Sequence, residues 1–252
     1  MDRPLKKDNA GHHADASVWP KAAVATWIWT LVLLLCFVAT GCNSEQSSAG
    51  SHPKAVEDAV NHEGTIVAVG DSLTAGLGVD EDQAYPARLG RRLKADGYAF
   101  KVINAGVSGE TSSGALSRIQ WIVSSLKPDI VILETGANDG LRGLDPHLLE
   151  SNLDRILTKL QADHIQVVLA GMLMLPNLGP EYTRAFGDIY PRLAEKHHVI
   201  FMPFFLDGVA GRPDLNQSDG LHPTAQGYNR IVEKLYPYVL KAIESYRRQK
   251  HK

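Results

Sequence analysis

Cysteine is scarce in this 252-residue chain: Cys36 and Cys42 are the only two, and none follows. The remainder therefore has no disulfide, no thiolate metal site and no cysteine nucleophile. A strong charge of either sign is also missing. The formal net charge is -2, without the basic footprint of a nucleic-acid partner. Histidines with metal-ligand spacing are absent too. His12, His13 and His52 lie before the folded part, and the neighbours His197 and His198 close a helical pattern, so they read as solvated or structural. There is no internal repeat and no sign of a second domain. What is present is an ordinary globular composition, 44% apolar and 21% charged, in a chain long enough for one sizeable core.

The N-terminus carries an address. Ala22 to Val38 is a run of 17 uncharged residues preceded by Lys21, the pattern of a secretory signal peptide. It is short for a membrane span, which needs about 20 apolar residues. It ends in Val38-Ala39-Thr40-Gly41-Cys42, which resembles a bacterial lipobox, with Ala39 where Leu is usual. Cys42 is then the lipid-attachment residue, and acyl chains hold the protein to a membrane of the bacterial envelope or periplasm. An uncleaved N-terminal anchor is the alternative. Both place the folded part outside the cytoplasm. Residues 1–42 are thus read as signal peptide, 43–62 as a flexible Ser- and Gly-containing tether, and 63–252 as the folded domain.

Beyond the tether, short β-branched runs alternate with helical periodicity. Strands are predicted at Thr65-Val69, Phe100-Asn104, Asp129-Glu134, Gln166-Ala170 and Val199-Met202. Helices are predicted at about Tyr85-Asp96, Ser113-Leu126, Pro146-Asp163, Pro180-His197 and Thr224-Arg247. Ile231, Leu235, Val239 and Ile243 recur every four residues, so the last helix should pack on the sheet. Regular alternation of this kind argues for an α/β fold, a parallel sheet with helices on both faces. Ligands of such sheets bind beyond the carboxyl ends of the strands, and chemically able residues should gather there.

They do. The first strand runs into Gly70-Asp71-Ser72-Leu73, where a serine at a strand-to-helix turn exposes its hydroxyl beside free helix N–H groups. Helix capping is the competing role for Ser72. The second strand ends at Asn104-Ala105-Gly106, whose glycine N–H could face a cleft, and a simple turn is the alternative. The third ends at Gly136-Ala137-Asn138-Asp139, and the Asn138 amide can donate to a developing oxyanion. Asp219-Gly220-Leu221-His222-Pro223 supplies an imidazole and a carboxylate to orient it, on a loop because Pro223 disfavours helix at His222.

With these four blocks in order, the chain from about Thr65 onward resembles the GDSL, or SGNH, hydrolases. The resemblance implies a three-layer α/β/α sandwich, flavodoxin-like, with a five-stranded parallel sheet. It implies Ser72 as nucleophile, His222 as general base, and Asp219 as the group orienting His222. The oxyanion donors would be the N–H groups of Ser72 and Gly106 and the Asn138 side chain. Asp71 and Asp139 are read as structural supports. No metal or organic cofactor is implied.

Four further stretches, Gly106-Ser112, Gly136-Gly143, Pro176-Tyr182 and Pro203-Leu206, resemble the extracytoplasmic arylesterase, thioesterase and lysophospholipase branch. The partner would be an acyl ester or thioester, a small molecule or a lipid. Leu141, Leu144, Leu173, Leu175, Leu178 and Phe205 could border an acyl site, or could simply be core. A carbohydrate O-deacetylase is the rival enzyme, and a non-catalytic lipid- or envelope-binding lipoprotein the rival of another class.

Overall fold

The computed structural model describes residues 62–251; the apolar run, Cys42 and nearly all of the tether lie outside them. Five strands form one sheet: β1 Gly64–Gly70, β2 Phe100–Gly106, β3 Ile130–Glu134, β4 Gln166–Ala170 and β5 Ile200–Met202. All neighbours pair in parallel, in the order β2-β1-β3-β4-β5. Parallel strands covered on both faces should be apolar throughout, and Ile66–Val69 and Ile130–Leu133 are wholly buried.

Eight α-helices accompany the strands in the described residues: α1 Ser72–Ala75, α2 Tyr85–Ala95, α3 Ser112–Leu126, α4 Ala137–Leu141, α5 Pro146–Ala162, α6 Pro180–Gly187, α7 Ile189–His197 and α8 Ala225–Lys250. The pair α2 and α8 pack together against the sheet, and α3, α5 and α7 form the other group. This is the three-layer, flavodoxin-like arrangement expected. Ile231, Leu235, Val239 and Ile243 of α8 are fully buried. Side chains of this size each stabilise the fold by about 1.5–3 kcal/mol when removed from water, enough to fix α8 on its face.

The strand positions agree with the sequence to within two residues at each end. One helix does not. Pro180-His197 is two helices, α6 and α7, meeting at Asp188, whose N–H caps the first and whose backbone starts the second. Apolar spacing continues across the break, because Phe186, Ile189, Tyr190 and Leu193 are all buried in one core.

The sheet order reverses at β1, with β2 on one side and β3 on the other. Crossovers leave this edge in opposite directions and open a crevice beyond the strand ends. The loops after β1, β2 and β3 therefore converge on one place.

Candidate active site

The chain leaves β1 through Asp71 and enters α1 at Ser72. Helix capping, the rival role for Ser72, belongs to its neighbour: the Asp71 carboxylate accepts the Leu73 N–H at 3.0 Å. Ser72 is the first helical residue, with its hydroxyl free for other work. Its Oγ lies 2.9 Å from His222 Nε2.

His222 reaches the serine from the loop between β5 and α8, 150 residues away in sequence. That loop is folded back on itself. The Gln217 N–H donates to the His222 carbonyl at 2.8 Å, the Thr224 N–H donates to the Leu215 carbonyl at 2.9 Å, and Thr224 caps α8. Asp219 Oδ1 accepts the N–H groups of Leu221 and His222, and its Oδ2 lies 2.6 Å from His222 Nδ1. The N–H of His222, then its ring, then the Leu221 N–H draw the Asp219 carboxyl down to about 2. Asp219 is therefore an anion throughout the neutral range and can only accept. The proton between them resides on Nδ1, which leaves the Nε2 lone pair facing Ser72.

Asn138, in the first turn of α4, is held from both sides. Its Nδ2 donates to Asp71 Oδ2 at 3.2 Å and to the Glu110 carbonyl at 3.1 Å. Asp139 beneath it accepts the Ser112 N–H at 2.8 Å and the Ser112 hydroxyl at 2.6 Å, tying α4 to α3. Asp71 and Asp139 are both buried and act as the supports read from the sequence.

Gly106 requires correction. Its N–H donates to Asn104 Oδ1 at 2.9 Å and so is turned away from the cleft. Any side chain there would overlap the backbone of Ala75, which makes Gly106 the contact at which β2 meets α1. Gly109, three residues on, lines the cleft with Ser72 and Asn138 instead. Its φ of 78° suits glycine, and its carbonyl is pinned by Arg142 at 2.8 Å. A bidentate Glu110–Arg118 ion pair, at 2.7 and 2.6 Å, fixes the same loop.

The cleft over Ser72 has a volume of about 420 Å³. Leu77, Leu141, Leu173, Leu175 and Leu221 line it and are all substantially exposed. Of the apolar residues anticipated at the border, Leu141, Leu173 and Leu175 are there. Phe205 is not: it is fully buried, its ring edge-on to Tyr85, and Phe204 and Leu206 face the cleft in its place. Leu144 and Leu178 also lie off this cleft. His197 is structural, bound to Gln161 and Asp154 at 2.8 and 2.6 Å.

Comparison with known proteins agrees with this geometry. The model of the GDSL-like Lipase/Acylhydrolase family matches residues 68–230. Esterase TesA of Pseudomonas aeruginosa is 40% identical over 173 residues, 69% of this chain and 86% of that protein. The Escherichia coli protein named thioesterase 1/protease 1/lysophospholipase L1 is 36% identical over 169 residues, 67% of this chain and 80% of the other. The crystal structure of TesA superimposes with a TM-score of 0.68 at 39% identity, covering 71% of this chain and 99% of that one. The strand-end serine, the histidine that reaches it from the last loop and these matches together lead to one conclusion: the chain belongs to the GDSL-like lipase/acylhydrolase family and is a carboxylic ester hydrolase.

Proposed function

We propose that the protein cleaves acyl esters or thioesters through a Ser72–His222–Asp219 triad and a covalent acyl-enzyme. The observation that carries this reading is the continuous chain from Ser72 Oγ to His222 Nε2, at 2.9 Å, and from His222 Nδ1 to Asp219, at 2.6 Å, opening into an apolar cleft. Ser72 attacks the acyl carbonyl while His222 takes its proton; His222 then returns that proton to the leaving alcohol or thiol. Water enters, His222 takes a proton from it as its oxygen attacks the acyl carbon, and the acyl–Oγ bond then breaks, with His222 returning that proton to Ser72 Oγ as the acid leaves.

The oxyanion would be received by the N–H groups of Ser72 and Gly109 and by the Asn138 amide. Both Asn138 protons are engaged in the resting site, but in long bonds of 3.2 and 3.1 Å. A full negative charge is a better acceptor than a backbone carbonyl, so the amide can transfer one of them as charge develops. Asn138→Ala should lower kcat by about 10²–10³, with KM little changed, in steady-state ester hydrolysis. A loss below tenfold would reassign Asn138 to holding α4 and Asp71.

The described residues lining the cleft include several leucines and no Asp, Glu, Lys or Arg, a set that suits an acyl chain better than a sugar, which needs polar partners and aromatic platforms. The names of the relatives, esterase and thioesterase/lysophospholipase, support the same substrate class. The test is a panel of p-nitrophenyl acetate, octanoate and palmitate. Higher kcat/KM for octanoate than for acetate is expected. A strong preference for acetate, together with release of acetate from acetylated xylan, would replace this reading with carbohydrate deacetylation.

The N-terminal residues add a place of action: a signal ending at Cys42, a lipid anchor there, and a tether over 43–62 that holds the catalytic domain outside the cytoplasm. Metabolic labelling with a palmitate analogue, lost in Cys42→Ser, is the expected result for full-length protein.

A further inference from the structure

Two acidic side chains, Asp71 and Glu134, lie completely buried beneath the nucleophile turn. Glu134 ends β3 and pairs in register with Gly70 of β1. Its carboxyl crosses over Gly70, where any side chain would overlap Glu134 Oε2 and Thr74 Oγ1. The Thr74 hydroxyl donates to Glu134 Oε2 at 2.8 Å, and the Asp71 N–H points at the same carboxyl. Glu134 Oε1 has no hydrogen-bond partner among the described residues.

Among the described residues no Lys or Arg pairs with either acid. The groups that face the pair are the Tyr85 hydroxyl, 3.4 Å from Thr74 Oγ1, the Tyr228 hydroxyl, bound to the Leu73 carbonyl at 2.9 Å, and the Tyr190 hydroxyl, bound to the Thr135 carbonyl at 2.9 Å. Burial holds all three tyrosines protonated. Arg118 comes within 3.4 Å of the Gly70 carbonyl, but its charge is matched by Glu110. His222 and Glu110 face Asp71.

Two carboxylates cannot both ionise in one dry pocket, because desolvation and mutual repulsion act on each. Asp71 is the better anion of the two. Both of its oxygens are occupied, by the Leu73 N–H and the Asn138 amide, and the imidazole lies opposite. Glu134 has a bare oxygen, which is far costlier on an anion than on a neutral acid. Burial accordingly lifts Glu134 well above the carboxylate range, while Asp71 is raised to about 6.

We propose that Glu134 is a positioning residue that works as a neutral carboxylic acid: it props the nucleophile turn through Thr74 and leaves the pair's single charge on Asp71, where that charge orients Asn138. The proposal rests on the Ser72 reading for its kinetics and stands apart from it in its spectroscopy.

The test compares the parent with Glu134→Gln and Glu134→Ala. Gln has the shape and neutrality of the protonated acid, so it should keep kcat within about threefold of the parent at pH 7. Ala removes the prop and should lower kcat about tenfold or more with KM within about twofold, since small misplacement of reacting groups is costly. Infrared difference spectra of parent minus Glu134→Gln at pH 7 should show the C=O stretch of a protonated carboxylic acid, a measurement independent of turnover and of the folding of the Ala variant. Absence of that band, or a folded Gln variant as impaired as Ala, would overturn the proposal. So would an Ala variant with parental kcat.

Discussion

Ser72→Ala is expected to reduce ester turnover by about 10⁴–10⁶ while leaving the fold in place, a loss of the size found when a triad nucleophile is deleted. The serine is 8% exposed and its hydroxyl is bound only to His222 among the described residues, so deleting it removes one hydrogen bond and leaves almost no cavity. Such a bond contributes about 1 kcal/mol, equivalent to a Tm change of a few degrees at most. The capping that holds α1 stays with Asp71. Hydrolysis of a p-nitrophenyl ester and a thermal melt measure the two halves of this expectation. A fluorophosphonate probe should label the parent at Ser72 and leave the variant untouched. A variant that kept a tenth of the parental rate would place the nucleophile elsewhere.

Much of the fold and of the site is legible in the sequence, for identifiable reasons. The strands are buried on both faces, so Ile66–Val69, Ile130–Leu133 and Val167–Ala170 appear in the sequence as uninterrupted apolar runs bounded by polar residues or glycine. The serine and the asparagine could be placed because each follows the end of such a run within a short turn, Ser72 after Gly70-Asp71 and Asn138 after Glu134-Thr135-Gly136-Ala137. What could not be read was direction. Gly106 ends β2 and Gly109 follows three residues later, and the two differ little as letters, yet the Asn104 side chain captures the first N–H and leaves the second beside the cleft. Phe205 and Phe204 pose the same difficulty: adjacent aromatic residues after β5 point oppositely, one into the core and one into the cleft. The break between α6 and α7 left no mark because its two halves bury one continuous stripe. α1 and α4 span four and five residues, too few to show a helical period. Glu134 did leave a trace, an acid closing an otherwise apolar strand, but its burial came only from the packing of Thr74 and Gly70.

The second large effect separates the two members of the proposed triad that do not bond to substrate. His222→Ala should cost about 10⁴–10⁶ in kcat, since neither the serine nor the leaving group then has a proton acceptor or donor. Asp219→Asn should cost far less, about 10–10², although the same change in a buried triad costs near 10⁴ by enforcing the wrong tautomer. The difference is exposure. The Asp219 side chain is 43% exposed against 17% for His222, so water can take the Nδ1 proton's bond when the carboxylate is gone. The Leu221 and His222 N–H groups still find the Asn carbonyl, which keeps the turn in place. In the parent, Asp219 remains ionised down to about pH 2, so its own protonation removes no activity between pH 4 and 8. Its folded value lies below the unfolded one, so the stability it contributes is present above about pH 4 and is lost only as pH falls toward 2. Asp71 has the opposite sign: its folded value is raised to about 6, so ionising it destabilises the fold as pH rises through 4 to 6. Full turnover by Asp219→Asn would make the carboxylate dispensable, and a loss equal to that of His222→Ala would show that solvent cannot replace it. The intermediate result is the one that an exposed carboxylate at 2.6 Å from an imidazole should produce.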